Sequence, residues 1–235
     1  MSVQEDIAAL DWQRLTDEID RQGWATTGPL LAEKERVTLA GAYDDVQLYR
    51  SRVVMARHGF GQGEYRYYAY PLPPLVQRLR EALYERLVGL ANRWRGALGQ
   101  PDQLPATHAE YLALCQAAGQ LRPTPLILRY GPEDYNCLHQ DLYGELSFPL
   151  QAAFLLSEPG KDFTGGELVL TEQRPRMQSK VQVVPLQAGE AVIFAVNYRP
   201  VQGTRGTYRV AMRHGVSALR SGNRHTLGII LHDAS

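Results

Sequence analysis

Apolar residues recur every three or four positions through the first half of the chain, and in alternation or short runs through the second. Leu75, Leu79, Leu83, Leu87, Leu90 and Trp94 make a continuous helical stripe over residues 74–98, opened by Pro73-Pro74 and closed by Gly99. A second stripe, Ile7, Leu10, Leu15 and Ile19, predicts a helix over 6–22 that Gly23 ends. Residues 32–43 predict a shorter, weaker helix. Residues 107–118 predict another, with Thr107 capping its first turn and Glu110 as the capping-box partner.

The second half changes period. Short β-branched or aromatic runs at 124–130, 150–156, 167–171, 181–185, 191–196, 208–216 and 226–232 predict seven strands. Pro159-Gly160, Gly165-Gly166, Gly203 and Ser221-Gly222 punctuate them, with Gly165-Gly166 expected as a hairpin turn. Strands behind a helical layer predict an α+β jelly roll with the N-terminal helices packed on one sheet. No repeat or linker interrupts the chain. The expectation is one domain over 1–235, with 1–120 as mainly helical support and 121–235 as the jelly-roll core.

Composition narrows the classes. A hydrophobic fraction of 44% and a charged fraction of 21% exclude wholesale disorder. No apolar run approaches the roughly 18 residues of a membrane span, and the acidic start lacks the basic and apolar stretches of a signal peptide. A soluble, cytoplasmic protein without membrane contact is expected. Two cysteines, Cys115 and Cys137, are too few for a disulfide framework. The net charge is zero, yet residues 173–232 hold nine basic side chains against the single acid Glu190. That imbalance suits an anionic partner, and equally a set of solvated strand arginines.

The chemistry concentrates at His139-Gln140-Asp141. In an extended segment residues i and i+2 share a face, so an imidazole and a carboxylate converge. His214, near the end of a late strand, offers a second imidazole. Two histidines and one carboxylate form the facial triad of non-haem Fe(II) oxygenases, which leaves positions for a bidentate cosubstrate and O2. Arg224, ten residues beyond His214, opens the last strand. Its planar fork suits the second carboxylate of a chelating keto acid, and Thr226 and Tyr130 are candidate hydroxyl donors to the same ligand.

Four segments carry a family resemblance. They are Leu128-Arg-Tyr-Gly-Pro-Glu-Asp-Tyr-Asn-Cys-Leu-His-Gln-Asp141, Phe163-Thr-Gly-Gly-Glu-Leu168, Gly189-Glu-Ala-Val-Ile-Phe194, and His214-Gly-Val-x7-Arg224-His-Thr-Leu227. In this order they resemble the 2-oxoglutarate–Fe(II) dioxygenase superfamily, and within it a bacterial family described as oxygenases acting on damaged, alkylated DNA. The resemblance is dense from about residue 125 to 233 and looser before it. It implies a double-stranded β-helix in which His139, Asp141 and His214 hold Fe(II) and Arg224 holds 2-oxoglutarate. O2 then yields succinate, CO2 and a hydroxylated substrate carbon, and an N-methyl group so hydroxylated is lost as formaldehyde. The single arginine at +10 looks more like the prolyl-hydroxylase branch. The Tyr130 segment resembles the alkylation-repair enzymes, with Leu128 where those carry Asn.

Other residues have competing readings. His225 adjoins Arg224 and is expected to point away from the site. His58, His108 and His232 are expected as surface or core polar groups, and Cys137 as a buried structural thiol. The segment 57–70 mixes glycines, tyrosines and arginines, which suits a mobile substrate lid or a tyrosine-rich edge strand. Tyr65, Arg66 and Tyr68, with Arg174 and Arg205 on loops, are the candidate contacts to alkylated or single-stranded nucleic acid. The alternatives are a prolyl-hydroxylase-like protein, a small-molecule hydroxylase, and a non-catalytic cupin-like metal sensor.

Overall fold

The strongest helical stripe becomes the longest helix in the computed structural model, which describes residues 3–100 and 102–235. In chain order the main elements are α1 (Val3–Ala8), α2 (Trp12–Gln22), β1 (Trp24–Pro29), α3 (Glu33–Gly41), β2 (Tyr49–Val54), β3 (Glu64–Tyr68), α4 (Pro74–Ala97) and α5 (His108–Ala117). Then come β4 (Leu126–Tyr130), β5 (Asn136–His139), β6 (Leu150–Leu155), β7 (Phe163–Gly165), β8 (Leu168–Gln173), β9 (Lys180–Val184) and β10 (Glu190–Ala195). The chain closes with β11 (Tyr198–Gly203), β12 (Gly206–Val216), β13 (Leu219–Gly222) and β14 (Arg224–Ile229). The stripe over 6–22 is two helices, because Asp11 accepts from the Arg14 amide and starts a new one. Thr107 and Glu110 form the expected capping box.

The first half is less purely helical than its periodicity suggests. β1, β2 and β3 all join the seven-stranded major sheet, ordered β1-β10-β6-β14-β4-β3-β2. A helical reading passes over them because long-range pairing, not local pattern, places short strands in a sheet. The minor sheet runs β11-β12-β8-β9, with β5 also on β12, and β7 pairs with β13. Gly165-Gly166 is therefore no hairpin turn. Both residues are left-handed (φ 73° and 63°), and they carry the chain from β7 into β8 of another sheet.

Alternation sorts the major sheet into two faces. Phe154, Ile193, Leu227 and Ile229 face the helices and share a core with Leu79, Leu83, Leu87 and Trp94 of α4. Leu155, Val192, Phe194 and Tyr130 face the minor sheet and pack with Leu168 and Leu170. Strands covered on both sides lose the polar alternation of a surface sheet, and β10 is buried along its whole length. The last residues are tied to α4 through a buried pair, Arg80 with Asp233 at 2.8 Å.

His108 and His232 lie buried beside that pair. His108 Nε2 donates to the Leu231 carbonyl at 3.0 Å, and His232 Nδ1 accepts from the Phe148 amide at 3.2 Å. Burial, and after it the charge of Arg80, push their pKa values down to about 3 and about 4. In the unfolded chain both would titrate near 6.5, so on acidification the unfolded state takes up protons first. Their contribution to stability is complete above about pH 6.5 and falls away as the pH drops toward the folded values. Urea denaturation between pH 6 and 4.5 should show stability falling by about 1.4 kcal/mol per pH unit for each histidine. His108→Gln should flatten that slope by one proton; an unchanged slope would mean that His108 is not the coupled group.

Candidate active site

β5 and β12 bring the predicted cluster together. His139 and His214 are direct partners in that antiparallel ladder, with ring centroids 4.1 Å apart. Asp141 follows two residues after His139 and turns inward from the loop. Its Oδ1 lies 3.5 Å from His139 Nε2 and its Oδ2 lies 3.1 Å from His214 Nε2. One ligand atom from each residue falls within 4.8 Å of the others. His139 Nδ1 donates to the Cys137 carbonyl at 2.8 Å, which turns Nε2 toward Asp141.

Two further side chains hold the carboxylate. Tyr143 Oη donates to Asp141 Oδ1 at 2.7 Å and Gln151 Nε2 to Oδ2 at 2.8 Å; the same amide is 3.3 Å from His214 Nε2. Burial would raise the pKa of Asp141, but His214 and His139 outweigh it and hold the carboxyl well below its usual range. Burial keeps His214 below the ordinary histidine value, with the neighbouring His139 acting the same way. For His139 burial lowers the value, and the hydrogen bond and charge of Asp141 reverse that and raise it. An ionised carboxylate between two converging imidazole nitrogens is a donor set that fits a divalent transition metal.

The cluster opens on a cavity of about 310 Å3 between the two sheets, whose wall also includes Arg224, Tyr130 and Thr226. Arg224 pairs across the ladder with Tyr130 and is 2% exposed. Its Nη1 donates to Thr226 Oγ1 at 2.6 Å, while its Nε has no partner. The buried Tyr130 hydroxyl makes no hydrogen bond of normal geometry, with Asn136 alongside it. Among the described residues the buried arginines Arg66, Arg80 and Arg199 each have a carboxylate within 3.5 Å, and Arg224 has none. Burial accordingly pulls its pKa below the ordinary guanidinium value. A buried cation without an anion is the complement of an anionic ligand. Gly166 makes the room: a Cβ there would meet Leu219 Cδ1 at 2.4 Å and Arg224 Cδ at 3.2 Å.

The remaining expectations divide. Tyr65 lines the cavity, whereas Arg66 and Tyr68 alternate to the other face. Arg66 lies over the Tyr43 ring, and Tyr68 belongs to the helix-facing core. Arg174 is paired with Glu172 at 2.8 Å and Arg205 sits at the turn between β11 and β12; neither reaches the cavity wall. Glu172, one residue before the acid-poor stretch begins, also holds the buried Arg199 at 2.6 Å. His225 faces Tyr43 on the outer side, as alternation predicts.

Cys137 is exposed, contrary to expectation, and forms part of the cavity wall. The Cys137 amide donates to the Phe60 carbonyl, and Gln62 to Tyr135, each at 2.9 Å. Part of the 57–70 segment, residues 60–62, runs along β5, its residues 64–68 forming β3, and Gly61 serves close approach: a Cβ there would sit 2.3 Å from the Tyr135 carbonyl oxygen. Gly59 and Phe60 reach the cavity wall. Tyr143 and Gln151 were missed. Tyr143 stands two residues after Asp141, a spacing that could have flagged it, whereas Gln151 arrives only through sheet pairing.

Opposed sheets that enclose a His-Asp-His cluster and a buried arginine without a salt-bridge partner define a class, the double-stranded β-helix oxygenases of the 2-oxoglutarate–Fe(II) type. The fold is that of a prolyl hydroxylase from Trichoplax adhaerens solved with a peptide of hypoxia inducible factor (TM-score 0.56, 14% identity, 96% of this chain and 89% of that one). A 2OG-Fe(II) oxygenase family oxidoreductase from Burkholderia pseudomallei shares it as well (TM-score 0.55, 16% identity, 95% and 93%). Within the class, residues 63–234 match the family described as oxygenases catalysing oxidative methylation of damaged DNA, and the chain belongs to that family. An uncharacterized protein of Mycobacterium tuberculosis is 39% identical over 224 residues, covering 95% of this chain and 91% of its own. No helix among the described residues is long and apolar enough to cross a membrane.

The unpaired Arg224 carries a stability consequence. Replacing a buried charge by a well-packed apolar side chain often stabilises, by about 1–4 kcal/mol for ion pairs. Without added dicarboxylate, Arg224→Met should therefore melt higher than wild type, by about 2–4 °C per kcal/mol gained. A lower melting temperature would mean that the Thr226 bond and the flanking Tyr130 and Phe163 rings outweigh the desolvation of the cation.

Proposed function

We propose that the protein is a 2-oxoglutarate- and Fe(II)-dependent dioxygenase that hydroxylates a carbon of an alkylated nucleobase. The observation that carries the reaction class is the single cavity containing both the His139–Asp141–His214 cluster and the acid-free Arg224. His139, Asp141 and His214 would hold the iron, and Arg224, with Thr226 and Tyr130, the far carboxylate of 2-oxoglutarate. When bound, iron and cosubstrate supply oxygen activation, with 2-oxoglutarate leaving as succinate and CO2 and one oxygen atom entering the substrate.

The chain's own residues bind, orient and exclude water. The His139 Nδ1–H bond to the Cys137 carbonyl keeps its Nε2 available to a metal. The guanidinium of Arg224 offers a planar fork to a carboxylate, a geometry that lysine lacks. Leu128, Leu168, Phe194 and Val216 line the cavity with apolar surface, which strengthens the charge pairing inside it. Tyr65 and Phe60 are aromatic surfaces on the same wall. Oxygen insertion into an N-methyl group gives a hemiaminal that releases formaldehyde, so on a damaged base this chemistry takes the methyl carbon away.

The nucleobase assignment rests on the family description. A small-molecule or peptide hydroxylase is the second reading, favoured by a cavity wall that contains no Arg66, Arg174 or Arg205. Succinate and formaldehyde should be measured with N-methylated single-stranded oligonucleotides at two salt concentrations, beside proline-rich peptides and free amino acids. Formaldehyde release that weakens with salt supports the nucleobase. Succinate stimulated by peptide or amino acid alone replaces it with the second reading.

His139→Ala and His214→Ala should each abolish Fe(II)-dependent succinate formation and keep a folded chain, while His225→Ala stays active. Either ligand variant with wild-type turnover would mean that the assignment is wrong. At about a hundred times its Kd, 2-oxoglutarate should stabilise the metal-loaded protein by about 2.7 kcal/mol in thermal melts. Arg224→Ala should remove most of that gain, since losing one side of a buried charged pair costs on the order of 2–5 kcal/mol.

A further inference from the structure

Both carboxylate oxygens of Asp141 are engaged, from different directions. Gln151 takes Oδ2, the oxygen nearer His214, and the Tyr143 phenol takes Oδ1, the oxygen nearer His139. Tyr143 lies on the connection between β5 and β6, which has no strand or helix of its own to fix it. Its ring is held by the major sheet instead. It meets Tyr67 edge-on, with centroids 6.1 Å apart and planes at 87°, and Tyr67 meets Tyr65 in the same way at 5.4 Å and 88°. The Arg50 guanidinium lies 4.4 Å from the centre of the Tyr67 ring, on the strand that packs against Tyr143.

An aspartate carboxylate turns easily about its terminal bond, because that torsion is broad. Left to itself, Asp141 would settle against whichever imidazole attracts it more, and a metal would have to reorient it. A donor fixed on Oδ1 removes that freedom before the metal arrives. We propose that Tyr143 is a positioning residue for the metal centre: its hydrogen bond sets the rotation of Asp141, and Tyr67 braces it from β3. The proposal rests on reading His139, Asp141 and His214 as the metal ligands.

Co(II) is the probe, titrated anaerobically into the wild type, Tyr143→Phe and Tyr67→Ala and followed by visible absorption, with a thermal melt of each chain. Loss of a partner that orients a ligand typically lowers metal affinity 10- to 100-fold, and this is expected for Tyr143→Phe. Its cobalt bands should also shift at saturation, which a purely structural role for the phenol would not cause. Tyr67→Ala keeps the bond to Asp141 but removes the edge-on ring behind Tyr143, a contact worth about 0.5–1.5 kcal/mol, so a loss of about 2- to 10-fold is expected. Wild-type affinity and bands in Tyr143→Phe overturn the proposal. Should that variant not fold, Tyr67→Ala decides, and wild-type affinity there overturns it equally. A wild-type chain that takes up no cobalt overturns the ligand assignment itself, and the role of Tyr143 with it.

Discussion

The two-residue alternation of the strands is the constraint on which the rest of this molecule depends. Each central strand of the major sheet has helices on one side and a second sheet on the other, so each must supply two different surfaces from consecutive residues. β14 does this with Arg224 and Thr226 on the cavity side and His225 and Leu227 on the helix side. β6 does it with Gln151 inside and Ala152 and Phe154 against the helices. A one-residue slip of either strand would exchange a site residue for a core residue. The ladders therefore hold the site in register as well as the fold.

Buried charge distinguishes the site from the scaffold. Arg80 with Asp233, and Arg199 with Glu172, are cations taken out of water together with an anion. They tie the last residues to α4 and β11 to β8. Arg224 is as deeply buried and has only a hydroxyl and two aromatic rings around it. A buried cation without a salt-bridge partner works against the stability of the free protein. Its neighbours are shaped to accommodate it, since Gly166 leaves the space that its side chain and Leu219 fill.

The carboxylate of Asp141 shows the same economy at the other charged element of the cavity. It is buried, yet the two imidazoles keep it ionised, and Tyr143 and Gln151 donate to its oxygens. Those donors come from a loop and from the start of β6, while the imidazoles come from β5 and β12. Four separate stretches of chain thus converge on one side chain, which is how a loop residue acquires a defined direction without secondary structure of its own.

Local chemistry made part of this legible without a structure. The stripe of α4, the capping box at Thr107 and most of the second-half strands follow from spacing and turn residues. His139 and Asp141 follow from the two-residue period of an extended segment, and the outward His225 from its adjacency to Arg224. What the sequence could not determine depends on partners distant along the chain. β1 to β3 carry too little local signal and exist because the major sheet extends to meet them. Cys137 lies exposed at the cavity wall, and Arg174 is neutralised by a glutamate just outside the acid-poor stretch. Tyr143 and Gln151 reach Asp141, and Arg66 and Tyr68 turn away from the cavity, only once strand register is chosen. Periodicity can say that two faces exist; which face meets the cavity is decided by the sheets that pair around it.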